Sequence, residues 1–197
     1  VDRVGKTGGG TVFLPVGRYT LANPIVVREG VTLRGDNDPA TPAESTVLCV
    51  TAGKGDADGP AAVTVERGSG LRGLVFWYPE QKLPDPVPYP WTVASADMPD
   101  NDNQTVEDCV FVNSWRGIRI GPSGNELHTL RRLIICALDT GISVDSTTDI
   151  GRVTDVKIGP FWENFPGSPE ANDVLAHMSA HATGADFGRS DWEFIRG

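Results

Sequence analysis

Four residue pairs, Glu80-Gln81, Trp115-Arg116, Asp139-Thr140 and Trp162-Glu163, recur at intervals of 35, 24 and 23 residues along a chain of 197. Each pair carries an acid or an indole. Two carboxyl groups cleave a glycosidic bond when one protonates the leaving oxygen and the other attacks or activates water, at separations of roughly 5 to 9.5 Å. Indole rings beside them suit sugars, whose apolar C–H faces stack on aromatics while their hydroxyls bond to carboxylates. If the four pairs occupy one corner of strands stacked about 4.8 Å apart, acids one or two strands apart fall in that range. Glu80, Asp139 and Glu163 are thus the candidate catalytic acids, and Trp77, Tyr78, Trp115, Arg116 and Trp162 the candidate substrate contacts. These residues also have an ordinary structural use. Corner acids accept turn N–H groups, and Trp77, Tyr78, Trp115 and Trp162 have residues 80–103, a Pro-rich segment that reads as a surface loop, to pack beneath.

Other constellations carry less chemistry. Gly5-Lys6-Thr7 before Gly8, Gly9 and Gly10 suggests a phosphate cradle, but that motif needs a strand before it and a helix after. Here the order is reversed, since Val12 and Leu14 begin a strand pattern that stops at Pro15. Residues 1–4 read instead as a helix end with Gly5 as its cap. His177 and His181 lie four apart on a helix predicted to start at Ser168, with Val174, Leu175 and Met178 inward and Gly184 ending it. That spacing can chelate a metal, yet only Asp173 is near as a third ligand, so surface histidines and no metal are expected. Asp97, Asp100, Asp102 and Asn103 lack the glycine that an EF-hand loop requires and read as a solvated loop. Asn103-Gln104-Thr105 is formally a glycosylation sequon.

The elements that must position the corner pairs emerge from the repeats. LRGLVF (71–76), VEDCVF (106–111), LRRLII (130–135) and VTDVKI (153–158) share one apolar pattern, and IRI (118–120) and ISV (142–144) form a second series, each preceded by Gly. VTLRG (31–35), TVLCV (46–50) and AVTV (62–65) add three short strands. A period near 24 with two or three strands per repeat predicts an all-β, right-handed parallel β-helix, with a short helical insertion near 168–183. Leu74, Cys109, Leu133 and Val156 should then point inward, as should Phe76, Phe111, Ile135 and Ile158. Val75, Val110 and Ile134 face outward although apolar, so part of the outer face should be covered. A two-sheet sandwich would instead want Asn-Gly hairpin turns, and none occurs.

Composition bounds the function. The chain holds 23 Gly and 15 Pro, and its net charge of −9 argues against nucleic acid and anionic membrane as partners. Three cysteines cannot all pair and show no metal spacing, so they are expected as buried small hydrophobes. No signal peptide or long apolar stretch is visible. A chain opening without Met inside a helix end, and closing on RSDWEFIRG, reads as one β-helix domain, residues 1–197, cut from a longer protein at both ends.

GGGTVFLPVGRYTL followed by IVVREGVTLRGD resembles the opening of the pectate-lyase-like, single-stranded right-handed β-helix superfamily, and RGIRIG with DTGISVDSTTDIGRVTDVKIGPFWEN resembles its bacterial coils. That group includes laminarinase-type glycoside hydrolases and tailspike depolymerases. The resemblance spans residues 8–165 and implies a secreted, carbohydrate-active protein whose partner is a polysaccharide or oligosaccharide. The polygalacturonase signatures and the pectate lyase Trp-Ile-Asp-His type of motif are absent, so no catalytic residue transfers by motif. Two functions follow: a polysaccharide-degrading enzyme, acting by hydrolysis without a cofactor or by β-elimination with Ca²⁺, or a non-catalytic carbohydrate-binding or structural segment. The acidic balance favours neutral glycans over polyuronates, since a polyanion needs Arg or calcium to offset repulsion.

Overall fold

The computed structural model describes residues 1–161 and 165–197. Helix α1 (Asp2–Gly5) leads into strands β1 (Gly10–Phe13), β2 (Gly17–Leu21), β3 (Ile25–Val27), β4 (Val31–Arg34) and β5 (Thr46–Val50). Strands β6 (Val63–Val65), β7 (Gly70–Arg72), β8 (Val75–Trp77), β9 (Trp91–Ser95) and β10 (Thr105–Glu107) follow, then the longer β11 (Val110–Ile120), β12 (Thr129–Val144) and β13 (Gly151–Ile158). Helix α2 (Ala171–His181) precedes β14 (Thr183–Phe187) and β15 (Glu193–Arg196). The protein is all-β, and each strand pairing among the described residues is parallel.

The pairings sort into three ladders. The first runs β1, β4, β7, β10 and the starts of β12 and β13, then β15. The second runs β2, β5, β8, the start of β11, the middle of β12 and the end of β13. The third runs β3, β6, β9, the ends of β11 and β12, and β14. The repeat period is the register itself: Leu71, Val106, Leu130 and Val153 are partners, as are Phe76, Phe111, Ile135 and Ile158.

Alternation decides what is buried. Leu71, Val106 and Leu130 face inward from the first ladder and Val93, Ile118 and Ile142 from the third, into one continuous core. Phe76 and Phe111 stack inside with centroids 5.0 Å apart. Leu74, Cys109 and Leu133 are fully buried, and Val156 packs against the same core with partial exposure. The tight corner between the first two ladders is turned by Gly73, Asp108, Arg132 and Asp155, all at positive φ. This left-handed conformation costs a non-glycine residue about 1–2 kcal/mol. Across that corner Arg132 donates to Asp108 from Nε and Nη2 at 2.5 and 2.7 Å. Gly117 and Gly141 are needed for another reason: a Cβ on either would meet the carbonyl of Gly141 or Gly184 on the next strand.

The outward apolar residues are covered, as their pattern requires. Val47, Val75, Val110 and Val112 form a second cluster closed by Phe165 and Ala43. Helix α2 lays Val174 over Cys136 and Leu138 on the outside of β12. Several expectations need correction. The 80–103 stretch is not one loop, because WTVAS forms β9 and buries Thr92, Val93 and Ser95. Helix α2 starts at Ala171, one turn later than predicted, and Gly184 lies in β14. Leu175 is 51% exposed, whereas Val174 and Met178 pack against β12. The cap of α1 is Lys6, one residue past Gly5. Cys109 and Cys136 are buried, and Cys49 is half-buried. No helix among the described residues is long and apolar enough to cross a membrane.

Candidate functional site

The corner proposed from sequence forms in part. Parallel pairing puts Arg116 of β11 beside Thr140 of β12, with Asp139 next to it. The Arg116 Nε donates to Asp139 Oδ2 at 2.6 Å, and its Nη1 donates to the Ala57 carbonyl at 3.0 Å. The same Nη1 stands 3.7 Å from Asp58 Oδ1. Two carboxylates therefore flank one guanidinium. On the other side, Trp91 of β9 is the register partner of Arg116, and the guanidinium lies 5.8 Å from its ring centroid. The backbone beneath is held by a chain of bonds: the Thr92 hydroxyl donates to the Arg116 carbonyl at 2.6 Å, and the Tyr78 hydroxyl shares a 2.6 Å bond with Thr92.

Other predicted members stand elsewhere. Glu80 lies after β8, before β9 begins the next strand of the third ladder, and pairs with Lys54 at 2.7 Å. Gln81, predicted to share its corner, is buried and ties the turn through bonds to Val87. Tyr78 is a correction: it is 1% exposed, set edge-on to Tyr89, with its phenol pushed up by burial, so it supports the corner from inside. Trp77 lies on the second ladder between Phe165 and Arg18, whose guanidinium is 4.9 Å from its ring. Trp115 is half-buried between the core and the cluster under α2. Trp162 and Glu163 lie outside the described residues.

Trp91 and Asp58 escaped the sequence reading. Trp91 precedes Arg116 by 25 residues, close to the period, but the prolines on its N-terminal side give the segment the pattern of a loop. Asp58 sits in a Gly- and Asp-rich turn with no periodic signal; only the fold brings it to Arg116.

A second polar site lies at the tight corner between ladders one and two. A cleft of about 380 Å³ is lined by Arg34, Asp36, Asn37, Asp38, Arg72 and Asp108 among others. Asn37 Nδ2 donates to the Asp108 carbonyl at 2.9 Å, while its Oδ1 is buried without a hydrogen-bond partner among the described residues. The Arg132 hydrogen bond, with Arg72 nearby, holds the Asp108 carboxyl below its ordinary pKa.

The remaining motifs make local contacts. Lys6 and Thr7 are exposed beyond α1, where the Thr7 hydroxyl donates to the Val4 carbonyl. His177 is bonded to the Leu138 carbonyl at 3.0 Å and lies 4.9 Å from the ring of His181. Asp97 accepts from the Ser123 hydroxyl, and no group of three or more His, Cys, Asp or Glu among the described residues is arranged to hold a metal. No protein-family model matches the chain, and no curated protein matches it significantly.

Proposed function

We propose that the three ladders are the faces of a right-handed parallel β-helix, and that the chain is a polysaccharide-active protein of the pectate-lyase-like kind, holding glycan along the third-ladder edge at Trp91, Arg116 and Asp139. One observation carries this: an indole and a carboxylate-clamped guanidinium sit in register on adjacent strands. That arrangement supplies a stacking face for a pyranose and, a strand away, a donor and an acceptor for its hydroxyls. An open edge repeating about every 4.8 Å suits a polymer better than a small molecule. Secretion, which the family resemblance implies, fits a polymer target.

A second reading, catalysis at the same edge, is favoured by Asp58 and Asp139 flanking Arg116. It makes the protein a glycoside hydrolase or lyase, or part of one. The test is incubation with a panel of glucans and polyuronates, following retention in affinity electrophoresis, reducing ends and absorbance of unsaturated products. Retention that falls about tenfold in Trp91→Ala, with an unchanged melting temperature, supports the edge. Reducing ends lost in Asp139→Asn indicate hydrolysis, and unsaturated products indicate elimination. Absence of retention and turnover on every glycan overturns the reading.

A further inference from the structure

We propose that the outer face of the first ladder binds an extended acidic polysaccharide, at a surface separate from the Arg116 edge and independent of it. The register makes the case. Arg34, Arg72, Arg131 and Arg196 fall in one outward column, with only Glu107 and Thr154 between them. The adjacent outward column carries Thr11, Thr32, Thr105 and Thr129, then Arg152. Across seven strands these two columns present five arginines and five threonines against one carboxylate, Glu107, with Asp36 and Asp108 at the adjoining corner, in a chain whose net charge is −9.

The arginines differ in how far they are already engaged. Arg131 pairs with Glu107 at 2.9 Å and Arg72 with Asp108 at 3.3 Å. The nearest acid to Arg34 is Asp36 at 3.8 Å, and the exposed Arg152 and Arg196 have no ion pair among the described residues. The cleft at the tight corner opens beside Arg34 and Arg72, so two of these cations serve both surfaces.

Guanidinium groups bind carboxylate or sulfate bidentately, and threonine hydroxyls both donate and accept. Repeated about every 4.8 Å on a flat sheet, they match a polymer that carries its charges at sugar spacing. A nucleic acid fits less well. Duplex DNA packs one charge per roughly 1.7 Å, which the acidic remainder of the surface repels. Single strands need aromatic stacking along the path, whereas Phe13 and Phe194 stand only at the two ends of this face.

The test is calorimetric titration of the whole chain with polygalacturonate, chondroitin sulfate, laminarin as a neutral glycan and a single-stranded oligothymidylate, at 50 and 200 mM salt. The proposal expects at least one acidic glycan to bind, and the binding to weaken several-fold with salt. It also expects a loss of about tenfold in R34Q/R152Q at unchanged melting temperature, with Trp91→Ala without effect. It is overturned if neither acidic glycan binds, if R34Q/R152Q binds like the wild type, if Trp91→Ala alone abolishes binding, or if the oligothymidylate binds more tightly than both glycans. Loss of laminarin retention is read separately: it bears on the Arg116 edge, and acidic binding that survives it leaves this face standing.

Discussion

The outer faces of the first and second ladders are built by the same strand pairing and carry opposite chemistry. On the second, the outward column runs Arg18, Val47, Val75, Val110, Ile134 and Lys157, apolar in the middle and charged at both ends. Its middle is covered by Phe165 and Ala43. On the first, the matching column is mostly arginine, and its Arg34 and Arg72 are exposed. A parallel ladder satisfies its own backbone and leaves the outer side chains to decide whether a face recruits cover or meets solvent and ligands. The difference teaches that an outward-pointing residue in such a stack reports function or docking, whereas inward ones report only packing.

The largest expected effect comes from putting a charge on the covered face. Val110→Asp should cost about 3–5 kcal/mol, because the carboxylate would be buried without a partner. Thr105→Asp on the open face should stay within about 0.5 kcal/mol. Urea unfolding of both variants measures the contrast, and equal costs would erase the distinction between the faces.

A smaller loss, about 2–4 kcal/mol, is expected for Phe165→Ala, which uncovers Val75 and Val110. Thermal unfolding checks it; a neutral result would mean that the segment carrying Phe165 rests on the ladder without stabilising it.

The smallest effect concerns the corner between the faces. Asp108 has its folded pKa lowered by Arg132 and Arg72, so its contribution is complete above the ordinary Asp value near 3.9 and is lost as pH falls through the lower folded value. Melting temperature should therefore drop below about pH 4, and Asp108→Asn should flatten part of that drop. An identical acid profile in the variant would show the Asp108–Arg132 pair to be stability-neutral.

Much of this architecture was legible before any coordinates. The 24-residue spacing of Val106 to Leu130 and of Ile118 to Ile142 became strand register, because an inward apolar position recurs once per repeat and cannot be buried otherwise. The excess of outward Val75, Val110 and Ile134 correctly required a cover, although the sequence did not name Phe165 or Ala43. The site was less legible. Arg116 and Asp139 sit together because both lie in regular strands at one period. Glu80 does not join them, because the 35-residue interval holds an extra segment whose strand, not its first turn, continues the ladder.

What the sequence determined by itself is the set of inward columns, since burial leaves the same apolar mark at every repeat whatever the loops do. What only the tertiary structure decided is which polar residues meet: Asp58 with Arg116, Asn37 with Asp108, and five arginines on one sheet face. Those meetings depend on how irregular turns return to the stack and on which side of a strand a charge projects. A charged side chain at the surface is stable in many positions, so its sequence neighbours carry no trace of its partner.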